Sequence, residues 1–489
     1  MAGIGFELKK LFNRRGLFAS VRAYGYAGIV CTGPMLLGIV LLLGVLFLCS
    51  LTGGSEHSRE LLVCMITYTL LSSLTVTSFL SMVVTRFIAD QLYEENYEMI
   101  LPSFWGSSAL MLVVGGILYG IFLAFSGAGL LDGFLCLGLF GELILTWNAM
   151  SYLTAIKDYR GILLAFAAAI VVTFLVGWFL LFLKIPHVEA LLIAVFIGYG
   201  VMMLWDTALL YQYFPQGNGS AFFFLKWVDQ FLPLAFTGLF LHIGLFAHLV
   251  IMWAGPLQVK VQGLFVGAPY HDVPALAAFL TILITTVNFV VSVEVNFYPK
   301  YRNYYSLFND KGAIGDIQQV GKEMRKVLNM ELKYTALKQL LMTALAISVG
   351  GFLLNTLPLG FNDLMEGYFR TLCVGYGLYA VANTMLLLLL YFTDYQGALW
   401  LSGIFAAGTS VFTVFSLFFP KVYYGFGFLI GCGIFFLLAV IRLDAYTRKL
   451  PYYILSVQPV VAEDKTGVFT KLGYFLNKKL EGRQEHEKI

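Results

Sequence analysis

Residues 36–49 read LLGIVLLLGVLFLC, fourteen positions without a charge. Strands of a membrane β-barrel would alternate apolar and polar side chains over about ten residues, and this stretch does not alternate. It lies in an apolar run from about 21 to 51, longer than the roughly 20 residues a helix needs to cross a hydrocarbon core about 30 Å thick. Eleven further runs follow, at 60–88, 104–127, 129–153, 161–183, 188–213, 221–252, 273–298, 334–356, 366–392, 396–419 and 422–446. The expected fold is an all-α polytopic membrane protein with about 12 transmembrane helices in two six-helix bundles. Composition agrees, because 59% of the 489 residues are hydrophobic and 12% are charged, against roughly 25% charged in a soluble domain. A soluble enzyme, a nucleic-acid binder and a disordered scaffold are thereby excluded.

The net charge of +3 says little until the basic residues are placed along the chain. Twelve spans put both termini on one side, and 26 of the 31 Lys and Arg fall on that side. The other five are Arg59, Lys184, Lys260, Arg370 and Lys421. Positive charge is retained on the cytoplasmic side, so both termini are expected in the cytoplasm. The first apolar run has no small-residue cleavage site after it and is read as a span, not a leader. The six cysteines, Cys31, Cys49, Cys64, Cys136, Cys373 and Cys432, lie inside apolar runs and read as packing residues.

The organisation expected is an amphipathic segment at 1–20, a six-helix bundle at 21–213, a connecting loop at 214–220, a second bundle at 221–446 with an inner loop at 299–333, and a tail at 447–489. The first segment interleaves Ile4, Phe6, Leu8, Leu11 and Phe12 with basic residues, and the tail repeats this with Phe469, Leu472, Phe475, Leu476 and Leu480. Both suit helices lying among lipid headgroups. In the inner loop Ile314, Ile317, Val320, Met324, Val327 and Leu328 recur at helical spacing. Such a stripe packs on the cytoplasmic ends of the spans or docks a cytoplasmic protein.

Helix breakers occupy similar places in the two halves: Gly33 and Pro34 in the first span, Pro233 in the seventh. Matching interruptions point to the central site of a transporter, although membrane helices also tolerate proline for structural reasons. Charges within spans are costly and therefore informative. The candidates for a transport cavity are Glu142, Asp206, Lys226, Asp229, Glu294 and Arg370. Lys226 and Asp229 are three residues apart, so they could neutralise each other on one helix face, as could Arg86 and Asp90. Glu142 has no partner three or four residues away and could exchange a proton during transport. His242 is deep but reads as a packing residue. "PYHDVP" at 269–274 reads as outer-loop chemistry. Aromatic residues, 16% of the chain, permit sugar stacking at Tyr298, Tyr301, Tyr304, Tyr305, Trp147, Trp205, Tyr376 or Tyr379, although belt and packing roles suffice for most. No phosphate-binding loop, metal-ligand spacing or nucleophile set is recognised, so neither cofactor nor enzymatic activity is expected.

Three stretches add a likeness: MAGIGFELKKL at 1–11, RAYGYAGIVCTGPML from Arg22 and VEVNFYPKYRNYYSLFN from Val293. Together they resemble the PelG family of Pel exopolysaccharide exporters, over essentially the full length. The resemblance implies the multidrug/oligosaccharidyl-lipid/polysaccharide exporter superfamily and a bacterial plasma membrane. It also implies a polysaccharide substrate, a cytoplasmic glycosyltransferase like PelF and membrane partners like PelD and PelE. It carries over no functional residues. The alternatives are a flippase for lipid-linked oligosaccharide, a cation-coupled drug exporter, a membrane-embedded glycosyl or acyl transferase, or a scaffold for a polysaccharide synthase.

Overall fold

The computed structural model describes residues 17–156, 158–215, 217–309, 312–356, 361–456 and 466–486. Ten helical stretches among them are long and apolar enough to cross a membrane. Two more spans complete the twelve: helix α1, Leu17–Leu51, and a ninth span built from α12, Ile314–Leu345, a π-helical turn, Ala346–Gly350, and α13, Gly351–Thr356. Between them in chain order run α2 (Glu56–Tyr93), α3 (Ile100–Phe125), α4 (Leu130–Ile156), α5 (Tyr159–Phe182), α6 (His187–Tyr213), α7 (Leu225–Gln230) and α8 (Leu232–Trp253). A hairpin, β1 (Val259–Gln262) with β2 (Phe265–Gly267), leads to α9 (Pro269–Phe279), α10 (Leu283–Val291) and α11 (Tyr298–Asn309). After α13 come α14 (Asp363–Tyr391), α15 (Tyr395–Ser416), α16 (Phe426–Arg448), α17 (Leu450–Ser456) and α18 (Val468–His486).

Bilayer, not water, explains which side chains stay outside. Phe47, Phe134, Phe182 and Phe418 are 65–81% exposed on four different spans or their ends. Lipid tails are as apolar as these rings, so no hydrophobic gain comes from hiding them, and the helices associate through close packing and hydrogen bonds instead. On α16 the sequence Gly427-x-x-x-Gly431 faces α15. A methyl group at Gly427 would fall 2.5 Å from Thr413 Cα, and one at Gly431 would fall 2.7 Å from Thr409 N. Only glycine allows the two backbones to approach so closely.

By packing, the chain divides into two compact units. The first holds Pro34–Phe246, Gln258–Gly267 and the described part of Pro459–Ile489; the second holds the described part of Met1–Gly33, with Ala247–Leu257 and Ala268–Gln458. The chain therefore passes between units inside α1, at Gly33–Pro34, and inside α8, at Phe246–Ala247. The expected seam at 214–220 lies within the first unit.

In the first unit the hairpin is antiparallel, with Val259 opposite Gly267, and is tied to the ends of α2 and α3. Tyr68 donates to Val266 O at 3.0 Å, Leu264 N donates to Ser126 O at 2.9 Å, and Phe265 is fully buried against Tyr68 and Phe122. In the second unit α14 is the central element, with 78% of its apolar window buried. Among the described residues, the segment 299–333 is non-helical only at 312–313. On either side, α11 and α12 extend the eighth and ninth spans as regular helices.

Candidate transport site

Glu142 is the thirteenth residue of α4, about 18 Å from its start. Its half-buried side chain reaches α6, where a methyl group added at Gly200 would lie 2.8 Å from Glu142 Oε1. Glu142 Oε2 is buried and has no hydrogen-bond partner among the described residues. About 9 Å further along α6, Asp206 is fully buried, and both of its carboxylate oxygens also lack a partner among the described residues. One turn along α4 from Glu142, the buried hydroxyl of Thr146 is likewise unpaired. The packed pair α4 and α6 thus carries two carboxyl groups at membrane depth with no ion-pair partner among the described residues. A charge there is tolerated only with a counter-charge, so this seam suits a proton or a cationic group of a substrate.

Several other polar groups on α2, α3 and α4 are paired. Asn148 donates to Ser107 and Ser108, both at 2.8 Å. Trp147 Nε1 donates to Ser73 at 3.1 Å, and Tyr152 and Ser103 share a hydrogen bond of 2.9 Å. Against this background the open valences of Glu142 and Asp206 stand out.

The second unit holds two polar features that the sequence reading missed. Along α10, the π-helical turn Ser292–Phe297 and α11, polar side chains meet those of α12 rung by rung. Thr285 donates to Gln339 at 2.6 Å, Asn288 to Thr335 at 2.6 Å, Ser292 and Asn296 to Glu331 at 2.7 and 2.9 Å, and Lys300 to Glu323 at 3.2 Å. Lys338 adds a bond to Asn288 Oδ1 at 2.5 Å. The signal was available as Thr285, Asn288, Ser292 and Asn296 repeating at three- and four-residue intervals, matched by Glu331, Thr335 and Gln339. Such side chains hold membrane helices together.

The other feature corrects the reading of PYHDVP as loop chemistry. His271 lies in the first turn of α9, fully buried, with its ring 5.1 Å from that of His248 on α8. His248 Nε2 is 3.2 Å from the Tyr376 hydroxyl, and the Phe428 ring lies 4.2 Å away. Among the described residues both ring nitrogens of His271 and Asp272 Oδ1 lack a hydrogen bond, and Nδ1 is 3.9 Å from that oxygen. Asp272 Oδ2 is held by Trp253 Nε1 at 2.8 Å.

The family profile described as "PelG: Putative exopolysaccharide Exporter (EPS-E)" matches residues 1–455. The chain belongs to the PelG family. No match was found among curated protein sequences. Among solved structures, an outward-facing multidrug resistance MATE family transporter of the MOP superfamily superposes with a TM-score of 0.60 at 13% identity, over 92% of this chain and 100% of that one. An inward-facing MATE family transporter gives 0.58 at 12%, over 87% and 99%. A MOP superfamily transporter from Pyrococcus furiosus Vc1, described for the reversed polarity of its binding pocket, gives 0.58 at 13%, over 92% and 99%. At such identities the likeness is one of fold. This PelG-family chain is therefore a multi-pass membrane exporter with the MOP architecture.

The other expected site residues of this PelG-family chain fall in different surroundings. Asp229, on α7, does not turn to Lys226. Its carboxylate accepts from Thr470 N and Thr470 Oγ1, each at 2.6 Å, and from Phe469 N at 3.3 Å, so it caps α18. Arg370 pairs with Glu366 one turn away on α14. The side chain of Glu294 lies outside the described residues, although its backbone belongs to the π-helical turn Ser292–Phe297.

Helix α7 ends at Gln230, and Pro233 sits in the first turn of α8, where a missing N–H costs nothing. The break expected at Gly33–Pro34 is absent, since α1 is continuous from Leu17 to Leu51. A membrane helix passes a proline at the loss of one backbone bond. The apolar stripe of α12 is partly spent on its own unit. Met324 is buried to 1% exposure, with Leu328 beside it at 2%, and is closed to any docking protein, whereas Ile314 is 77% exposed. Ile317, Val320 and Val327 are half-buried. The amphipathic residues Ile4 to Phe12 lie outside the described residues.

Proposed function

We propose that this chain carries a Pel-like, hexosamine-rich exopolysaccharide across a bacterial plasma membrane, receiving it from a cytoplasmic glycosyltransferase of the PelF kind beside membrane partners like PelD and PelE. The termini are cytoplasmic in this reading, as the 26 basic residues on their side favour. Conformational change is centred on α1 and α8, the two helices shared between the units. The chain acts as a transporter without enzymatic chemistry of its own.

The observation that carries the mechanism is the pair of unpartnered carboxyl groups of Glu142 and Asp206 on α4 and α6. Each binds and releases a proton, or an amino group of the passing polymer, as the protein cycles. Glu142→Gln keeps the size and hydrogen-bonding capacity of the side chain and removes only its charge. Secreted polymer is expected to fall at least tenfold while the amount of protein in the membrane stays normal. Quantifying both in one strain is the test, and normal secretion by the variant would remove Glu142 from the mechanism.

A further inference from the structure

A groove of about 610 Å³ opens in the second unit between α12 and the end of α16. Five cations line it: Lys322, Arg325, Lys326 and Lys333 from α12, and Arg448 from α16. The four on α12 share a helix face at intervals of three, four and seven residues, which sets like charges beside one another at a cost to the fold. Among the described residues no acid is paired with any of the four. Glu323 is engaged by Lys300 at 3.2 Å and Asp444 by Arg448 at 2.9 Å, and none of the four α12 cations has an ion-pair partner among the described residues.

The chemistry of the lining narrows the ligand. Asn329 supplies a neutral polar contact, Asp444 is the one acid in the lining and is spent on Arg448 at 2.9 Å, and Met330 is the one apolar side chain. A molecule held here is therefore gripped by charge and hydrogen bonds, not by stacking or burial of hydrocarbon. The volume is that of a small-molecule site. A monocarboxylate would leave most of the positive charge unanswered. A phosphate group presents several acceptor oxygens and more than one charge to Lys and Arg together.

We propose that this groove binds a phosphate ester carrying two or more negative charges, supplied either by the headgroup of an anionic phospholipid or by a soluble phosphate compound. The assignment rests on side chains of the second unit alone and stands whether or not Glu142 serves in export.

Two probes separate the sources, using the full-length protein in nanodiscs. Inorganic pyrophosphate is titrated into protein held in phosphatidylcholine discs, and retention of cardiolipin, whose headgroup carries two phosphates, from mixed discs is read by native mass spectrometry. The variants are the triple change Lys322→Gln, Lys326→Gln and Lys333→Gln, and separately Arg448→Gln from the opposite wall. A charge-matched control changes Lys471, Lys478 and Lys479 to Gln on α18, where all three are exposed. The triple variant is expected to weaken binding at least tenfold and Arg448→Gln severalfold, with the control within twofold of the parent. Loss of pyrophosphate binding identifies a soluble ligand, and loss of retained cardiolipin alone identifies a lipid headgroup. The proposal is overturned if the parent binds neither probe, if control and groove variants weaken alike, or if only polyglutamate is bound.

Discussion

At the scale of single residues, Asp229 shows how spacing can mislead. Three positions from Lys226 on one helix, it has the geometry of a local ion pair, yet its carboxylate is committed to backbone and hydroxyl groups about 240 residues later. A carboxylate at a helix N-terminus answers both the unpaired N–H groups and the helix dipole. Asp229→Ala should therefore cost about 1–2 kcal/mol of α18 docking. Hydrogen exchange of residues 468–476 should quicken about tenfold while exchange in α4 is unchanged. Equal protection in the variant would mean that the cap does not hold the helix. The unpartnered state of Glu142 was readable because the lack of any partner on its own helix is written in its neighbours. Asp229 and His271 were not readable, because what they touch comes from distant parts of the chain: α18 for the first, α8 and α14 for the second.

Among elements, twelve apolar runs translate into twelve spans because length and hydropathy are the properties a bilayer selects. Details set by helix contacts were less legible. The π-helical turns at Ser292–Phe297 and Ala346–Gly350 each take up one extra residue in a helix, a feature with no compositional mark. The hairpin between α8 and α9 is similar: its register follows from Phe265 fitting against Tyr68 and Phe122, partners far away in the sequence. The seam between α15 and α16 gives a direct test of contact-driven association. Gly431→Leu forces side-chain atoms toward the Thr409 backbone, 2.7 Å from where a methyl group would start. Overpacking of this kind costs about 1–3 kcal/mol. On the same helix, Gly433 has nothing within 4 Å of an added methyl group, so Gly433→Leu serves as its control. Thermal unfolding in detergent should shift down by several degrees for Gly431→Leu and remain near the parent for Gly433→Leu. Equal shifts would show that added bulk, not the seam, is responsible.

For the whole molecule the decisive quantity is parity: with twelve spans, the hairpin at 259–267 and the segment after α16 must lie on opposite sides of the membrane. The basic residues orient that arrangement, since Lys and Arg are counted by the insertion machinery in short loops near span ends, with acidic residues contributing little. The five described cysteines are all buried, so a Cys31→Ser background offers little competing thiol to a membrane-impermeant maleimide. Leu264→Cys in the hairpin and Leu455→Cys on α17 replace side chains that are 47% and 62% exposed, which gives two reporters with comparable access to reagent. In intact cells the thiol at position 264 should be labelled and the one at 455 protected, and opening the membrane should make both react. Labelling of both in intact cells would mean an even number of spans between the two reporters instead of an odd one. Labelling of 455 alone would reverse the protein and turn its basic face outward, away from any cytoplasmic enzyme that could feed it polymer.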